Sequence, residues 1–221
     1  MEEKKVYVWG EIGEILTIKS FAEQCMKKKL EAELIKVEEL SELSPCDFLI
    51  IALHGRKLEA KDFYSVYKRV KNILFFSISG FSPSFINFMA VNFENISIVG
   101  NPQNISDMEH FIEAFAENKR YFSSDVIEAV NDKELTERSR LFSSRDFKYD
   151  YLKCCSMLLK GYKKIEVAEY FKVSRTSVGR WIEKIKKEIN VSSDEELLGY
   201  LRAVPDMDVL LDLCAEEKRL L

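Results

Sequence analysis

Over roughly the first 130 residues, short apolar runs alternate with amphipathic segments. The runs are rich in Val, Ile and Phe, and the segments between them repeat apolar residues at helical spacing. Strands this apolar are usually buried on both faces, which requires a parallel sheet covered by helices with right-handed crossovers. The predicted strands are 5–9, 32–37, 47–52, 73–78 and 96–99, and the predicted helices are 15–29, 60–70, 83–91 and 106–118, with a short helix also compatible with 40–43. We therefore predict a doubly wound α/β domain with a five-stranded parallel sheet.

The pattern after residue 147 is helical throughout, and short links between the segments predict tight packing of a small all-α domain. The preceding residues, 131–147, are polar and charged, with few large apolar side chains, as is typical of a linker. The predicted helices are 149–159, 164–171, 175–189 and 194–203, and Val209, Leu210, Leu213 and Leu220 give the tail one apolar side. The predicted organisation is therefore an α/β domain at 1–130, a linker at 131–147, a helical domain at 148–204 and an amphipathic tail at 205–221.

Two of these helices and the link between them predict a helix-turn-helix unit. Ser174 has the hydroxyl of a natural N-cap and precedes the longer helix. One side of that helix is apolar and should face the core, and the opposite side is polar and basic, which suits phosphates and base edges. The apolar side carries Val178, Ile182, Ile185 and Ile189, the opposite side carries Thr176, Arg180, Lys184 and Lys187, and the preceding helix takes its apolar side from Ile165, Val167, Ala168 and Phe171.

The charge distribution supports a polyanionic partner. The chain of 221 residues has a formal net charge of −4, yet residues 148–187 contain eleven lysines and arginines against four acids. This segment therefore carries about +7 and the rest of the chain about −11. A local excess of this kind marks a nucleic-acid-binding module, although a solvated basic helix face gives the same count.

Composition excludes several other classes of protein. With 47% hydrophobic residues the chain can bury a core, which excludes a disordered or fibrous protein. No run of eighteen uncharged apolar residues occurs, and the opening MEEKK is not typical of a signal peptide, so we expect a cytoplasmic protein without a membrane partner. Five cysteines without a CxxC motif and two distant histidines support neither a disulfide framework nor a zinc site, and we expect no cofactor or metal.

Residues 158–201, LLKGYKKIEVAEYFKVSRTSVGRWIEKIKKEINVSSDEELLGYL, resemble the four-helix DNA-binding domain of LuxR/NarL-type transcriptional regulators. The resemblance assigns Ala168 to a small position in the first helix of the motif, Val173 to a buried turn position, Ser177 and Val178 to a hydroxyl residue followed by valine, and Val191 to the final turn. It implies DNA binding in the same geometry. The residues expected to contact DNA are Arg175, Thr176, Ser177, Arg180, Lys184 and Lys187, with Lys163 and Lys164 as contacts to the sugar-phosphate backbone.

The chain departs from that family at three positions of the expected recognition helix. Gly179 replaces a usual lysine, Trp181 a usual histidine, and Glu183 a residue that is often basic. The resemblance therefore does not imply the same operator sequence. Two interpretations of Gly179 are open: the missing side chain lets DNA approach closely, or a contact has simply been lost.

Residues 98–130, IVGNPQNISDMEHFIEAFAENKRYFSSDVIEAV, resemble the end of the receiver domain that precedes such modules in response regulators. Receiver chemistry needs an acidic pair after the first strand and an aspartate after the third, because magnesium and a phosphoryl group must meet there. The corresponding residues are Gly10 and Glu11 for the acidic pair, Ala52 for the phosphoacceptor, Ser77 for the hydroxyl and Asn101 for the lysine. Since alanine cannot accept a phosphoryl group, we interpret the domain as a pseudo-receiver.

The sequence thus predicts a non-enzymatic transcriptional regulator that binds double-stranded DNA as a homodimer, independently of aspartyl phosphorylation. A rival hypothesis is an interaction protein that sequesters a partner regulator without specific DNA binding, which Gly179 and Glu183 favour. A flavodoxin-like enzyme is the third hypothesis, and we find no catalytic cluster for it.

Overall fold

The computed structural model describes residues 4–10, 15–19, 23, 32–53, 58–77, 80–100, 105–117, 119–133, 147–203 and 207–220. The chain forms two compact units, Met1–Thr136 and Glu137–Leu221. In the described residues, no helix is both long and apolar enough to cross a membrane.

The first unit is built on a five-stranded sheet in the order β2-β1-β3-β4-β5, with every neighbouring pair parallel. The strands are β1 (Lys4–Gly10), β2 (Ala32–Lys36), β3 (Cys46–Ala52), β4 (Val70–Ser77) and β5 (Ile96–Gly100). The two central pairs align Gly10 with Ala52 and Ala52 with Phe76, so β1, β3 and β4 reach the same edge of the sheet at their carboxyl ends. This arrangement confirms the predicted α/β class.

Helices cover both faces of this sheet. They are α1 (Ala60–Tyr67), α2 (Pro83–Asn92), α3 (Ile105–Ala116) and α4 (Ser124–Val130), together with a helical stretch at 15–19 and a 3-10 turn at Leu40–Glu42. Phe75 and Phe76 are successive residues of β4 and therefore point to opposite faces. Phe75 contacts Phe63 of α1 and Phe85 of α2, whereas Phe76 belongs to the core that includes Phe111 of α3.

A short extended stretch protects the outer edge of β5. Ile98 donates its backbone N–H to Tyr121 over 3.0 Å, and Ser123 donates to the Ile98 carbonyl over 3.1 Å. Because exposed strand edges invite unwanted pairing, this stretch closes part of an edge that would otherwise be open. The helix α4 follows directly and was not among the predicted elements.

The second unit consists of five helices in the described residues. They are α5 (Tyr149–Leu159), α6 (Lys164–Phe171), α7 (Arg175–Glu188), α8 (Asp194–Arg202) and α9 (Met207–Leu220). The tail predicted as an amphipathic helix is α9, which packs along α5 and belongs to the core of this unit. Leu210, Leu211, Leu213 and Cys214 of α9 are buried.

Thiols in this core are buried and inert. Cys154 and Cys155 lie on the inner side of α5. Burial raises the pKa of the Cys154 thiol to about 12, so this group stays protonated at neutral pH. The four cysteines in the described part of the chain, Cys46, Cys154, Cys155 and Cys214, form no disulfide.

Several predicted bounds are corrected by the structure. The helix predicted at 60–70 ends at Tyr67, because Val70 already pairs with Cys46 in the sheet. Ile165 is exposed, contrary to the apolar side predicted for α6. It lies two residues before the buried Val167, which places the two side chains about 200° apart around the helix.

Candidate nucleic-acid interface

The turn between α6 and α7 is fixed by its own backbone and by one serine. Lys172 adopts the left-handed conformation, with φ of 54° and ψ of 43°, and so ends α6. The Val173 N–H then donates to the Ala168 carbonyl over 3.0 Å. Ser174 caps α7, because its Oγ accepts the Ser177 N–H over 3.1 Å. A three-residue turn of this kind sets α7 at a defined angle to α6, as a helix-turn-helix requires.

The structure corrects the prediction for Val173 in one respect. The resemblance assigned it to a buried turn position, yet 37% of Val173 is exposed. Its contribution to the turn is the backbone hydrogen bond, and its side chain lies at the surface next to the start of α7.

The inner side of α7 agrees with the predicted apolar stripe. Val178, Ile182 and Ile185 are at most 1% exposed and pack into the core of the second unit. Ile189, the fourth member of the stripe, is half-buried and caps the helix at its carboxyl end. Because three of these four side chains are fully buried, they define which side of α7 faces the core.

The outer side of α7 carries the predicted basic and hydroxyl side chains. Those that are exposed to solvent are Arg175, Thr176, Arg180, Lys184 and Lys187. Ser177 is half-buried, and its Oγ lies 3.0 Å from that of Ser174, so the hydroxyl also takes part in the cap. The outer face therefore presents four basic side chains and one hydroxyl to solvent.

The two lysines predicted to contact the DNA backbone differ in their surroundings. Lys163 is exposed at the start of α6, where its backbone N–H donates to Glu166 Oε2 over 2.6 Å. Lys164 is half-buried and forms an ion pair with Asp194 at the start of α8. Only Lys163 thus offers an ammonium group that is clear of a described acidic partner.

Lys186 continues this ion-pair network on the flank of α7. Its ammonium lies 2.6 Å from Glu183 and 3.3 Å from Asp194, and its side chain is only 9% exposed. The hydrogen bond with Glu183 raises the pKa of Lys186, while hydrogen bonding from Lys164 lowers the pKa of Asp194. Glu183, one of the departures from the family pattern, is therefore an ion-pair partner of Lys186 within α7, and Lys186 joins α7 to Asp194 at the start of α8.

Trp181 also has a structural partner. Its ring meets Phe171 edge to face, with centroids 5.1 Å apart, and lies 6.2 Å from the ring of Tyr151 on α5. This aromatic contact joins α7 to both preceding helices. Trp181, which stands where the family pattern has a usual histidine, is therefore part of the packing that holds α7 in place.

Sequence reasoning overlooked Lys172 as a candidate contact. It is exposed and stands in the turn immediately before the capped start of α7. The sequence contained a signal for it, because a lysine in the link between the two helices belongs to the apolar side of neither helix and is expected at the surface.

Gly179 is half-buried, and no atom outside the surrounding helix backbone and the two adjacent residues lies within 4 Å of the position that a Cβ would take.

At the carboxyl ends of β1, β3 and β4, the resemblance places the phosphoacceptor at Ala52, and the described side chains next to it are buried. Ala52 is fully buried within the cluster that contains Val8, Ile50 and Phe76. Gly10 has φ of 150°, and a Cβ at this position would stand 2.1 Å from the Ala52 carbonyl oxygen. Ser77 is also fully buried, whereas Glu11 and Asn101 lie outside the described residues. No group of three or more potential metal ligands occurs among the described residues.

Comparison with known proteins gives structural neighbours only. No family model matches the chain, and neither does any curated protein. The chain is similar to the RcsB response regulator of Salmonella typhimurium, with 13% identity, a TM-score of 0.47, and coverage of 92% of this chain and 100% of that one. ChrA, a response regulator of a heme-sensing two-component system, has 11% identity and a TM-score of 0.44, with coverage of 92% of this chain and 98% of that one. RcsB of Salmonella enterica serovar Typhimurium bound to the promoter rprA has 14% identity and a TM-score of 0.46, with coverage of 92% of this chain and 100% of that one. At this level of similarity the neighbours do not define what this chain binds.

Proposed function

We propose that the chain is a LuxR/NarL-type transcriptional regulator that binds double-stranded DNA as a homodimer and acts without aspartyl phosphorylation. The observation that carries this proposal is the outer face of α7. Arg180, Lys184 and Lys187 are exposed there, on the side opposite the buried Val178 and Ile182. A capped helix with this face, placed after a short turn, has the shape and charge that enter a major groove.

The distribution of ion pairs strengthens the proposal. Of the eleven basic residues in 148–187, Lys153, Lys160, Lys164 and Lys186 have acidic partners in the described part of the chain. These pairs lie on α5, at the start of α6 and on the flank of α7. Of the other seven, Lys148 and Lys163 stand just before α5 and α6, and the remaining five stand at the turn or on α7, namely Lys172, Arg175, Arg180, Lys184 and Lys187. A basic surface that is only solvated gives no reason why the lysines with acidic partners and the basic residues without a described partner should lie in different places.

The rival hypothesis, sequestration of a partner regulator, was based on Gly179 and Glu183. Glu183 forms an ion pair with Lys186, so its negative charge is compensated within the protein. Its presence on α7 therefore does not argue against an approach by phosphates. We retain DNA binding as the proposed function.

Two substitutions on the outer face test this function. The unsubstituted protein first selects its preferred duplex from a random pool. Lys187→Ala should weaken binding to all duplexes alike and reduce the slope of log affinity against log salt by about 0.9, because one phosphate contact is lost. Arg180→Ala should remove about 1–3 kcal/mol of preference for the selected duplex over random sequence. Titrations with labelled duplexes at several salt concentrations measure both effects.

Lys68 offers a matched control, since it is an exposed lysine of the first unit. Lys68→Ala should leave both the affinity and the salt slope unchanged. Thermal unfolding checks that each variant folds. Full site preference in Arg180→Ala would show that α7 does not read sequence in the way proposed.

Independence from phosphorylation is supported by the residues at the carboxyl ends of β3 and β4. Ala52 offers no carboxylate, and the burial of Ala52 and Ser77 leaves neither side chain open to a phosphodonor. Treatment with a small phosphodonor and magnesium should therefore leave the intact mass of the protein unchanged. A stable gain of one phosphoryl group that maps to the first unit would refute this part of the proposal.

A further inference from the structure

A lysine of the proposed recognition helix rests on an aromatic ring from another helix. The Lys184 ammonium lies 5.4 Å from the centroid of the Tyr151 ring on α5. Lys184 is exposed and Tyr151 is half-buried, so the ring lies beneath the ammonium and leaves its outer side open to water. Attraction between a cation and the face of a ring operates at this distance.

The ring itself is held firmly. Tyr151 contacts Trp181, Trp181 meets Phe171 edge to face, and Phe171 contacts Tyr149 with centroids 6.1 Å apart. These four rings join α5, α6 and α7 in one continuous cluster. Trp181 precedes Lys184 by three residues, so the two side chains lie on the same side of α7.

This arrangement has a consequence for DNA binding. A lysine side chain is a flexible stem, and fixing it on a phosphate costs conformational entropy. A side chain already restricted by a ring has less entropy to lose when the phosphate arrives. We propose that Tyr151 is a positioning residue, which holds Lys184 in place for a phosphate of the DNA backbone. This inference rests on the proposed function and adds a residue of α5 to the DNA-binding apparatus.

A double-substitution cycle tests the inference with the full chain and a labelled random duplex. The proteins compared are the unsubstituted chain, Tyr151→Leu, Tyr151→Phe, Lys184→Ala, and the combination of Tyr151→Leu with Lys184→Ala. Tyr151→Leu should weaken binding roughly two- to five-fold, the size expected when one lysine side chain must lose more conformational entropy on binding. Tyr151→Phe should bind like the unsubstituted protein, because the ring face is retained. In the Lys184→Ala background, Tyr151→Leu should cause no further loss.

An NMR measurement tests the contact without any substitution. The ε-methylene protons of Lys184 should resonate upfield of those of an exposed lysine, because they lie over an aromatic ring. A normal lysine position in the unsubstituted protein would contradict the proposal, even if Tyr151→Leu failed to fold.

The possible outcomes separate this inference from the function on which it depends. An equal loss on Tyr151→Leu with and without Lys184 would mean that the ring acts through general packing, and the inference would be wrong. Unchanged binding by Tyr151→Leu would also overturn it. A chain that binds no duplex at all would refute the proposed function itself, and the unsubstituted protein shows this before any variant is compared.

Discussion

At the scale of single residues, Gly179 shows how stability and binding can be separated. It lies inside α7, where glycine costs about 1 kcal/mol relative to alanine. Since no atom outside the surrounding backbone of α7 and the two adjacent residues lies within 4 Å of a Cβ built there, Gly179→Ala needs no rearrangement. We expect this substitution to raise the free energy of unfolding of the second unit by about 1 kcal/mol, measured by urea unfolding with circular dichroism.

The affinity of Gly179→Ala for duplex DNA distinguishes the two interpretations of this glycine. Weaker binding by the stabilised variant means that DNA approaches the helix backbone closely. Unchanged binding means that a family contact has simply been lost. Gly199→Ala in α8 is the matched control, because it too is a helical glycine with open space around it.

The local pattern predicted which side chains of α7 face inward or outward, but it could not predict their long-range partners. Val178 and Lys187 were placed correctly because the helical repeat is a property of neighbouring residues. The contact of Lys164 with DNA stays a prediction, but its ion pair with Asp194, thirty positions further along the chain, was not foreseen. Nothing in the spacing around Lys164 reveals this partner, since only the packing of α8 brings it close.

At the scale of elements, α9 is joined to α5 by a half-buried carboxylate. Asp212 lies 2.9 Å from the Lys153 ammonium and 2.5 Å from that of Lys160. Burial alone would raise the pKa of Asp212, but the hydrogen bonds from Lys160 and Lys153 outweigh it, and the pKa is lowered overall. The tail is thus part of the folded second unit.

This lowered pKa fixes the sign of a pH dependence. The stabilising contribution of Asp212 is complete above the ordinary aspartate pKa of about 4 and is lost as the pH falls through the lower folded value. Asp212→Asn removes two charge-assisted hydrogen bonds and should reduce the free energy of unfolding at pH 7 by about 2 kcal/mol. It should also flatten the decline of this free energy below pH 4. Urea unfolding at pH 7, 4 and 3 measures both. Glu195→Gln, at an exposed position, is the control and should keep the original pH profile.

The predicted elements were most accurate where the apolar signal was strong. All five strands were located, because each consists largely of apolar residues that parallel sheets bury on both faces. The helix α4 was missed, since it has seven residues and only Val126 buried, and a helix this short has little periodicity. Of the helix predicted at 15–29, residues 15–19 and 23 are helical, and its other residues lie outside the described part of the chain.

At the scale of the whole molecule, the two units have separate tasks under the proposed function. Under that proposal the second unit carries the DNA-binding face, and the first has Ala52 where the receiver resemblance places a phosphoacceptor. A regulator of the proposed kind would reach its active assembly without a phosphorylation switch. Two recognition helices are needed for half-sites one helical turn apart.

We therefore expect the free protein to be a dimer. Sedimentation at micromolar concentration should give about twice the chain mass of 25.7 kDa, with or without phosphodonor. Addition of a duplex with two half-sites should shift this species without first changing its subunit number. A strict monomer, both free and with DNA, would instead favour the sequestering role.

The close approach of Gly10 to Ala52 limits which residues these two neighbouring positions can accept. Ala52→Asp would bury a carboxylate beside Val8, Ile50 and Phe76, at a cost of about 3 kcal/mol or more. Any side chain at residue 10 would collide with the Ala52 carbonyl oxygen, because a Cβ there would stand only 2.1 Å away. With this backbone arrangement residue 10 tolerates only glycine, and neither strand can gain an acidic side chain at this point without a loss of stability.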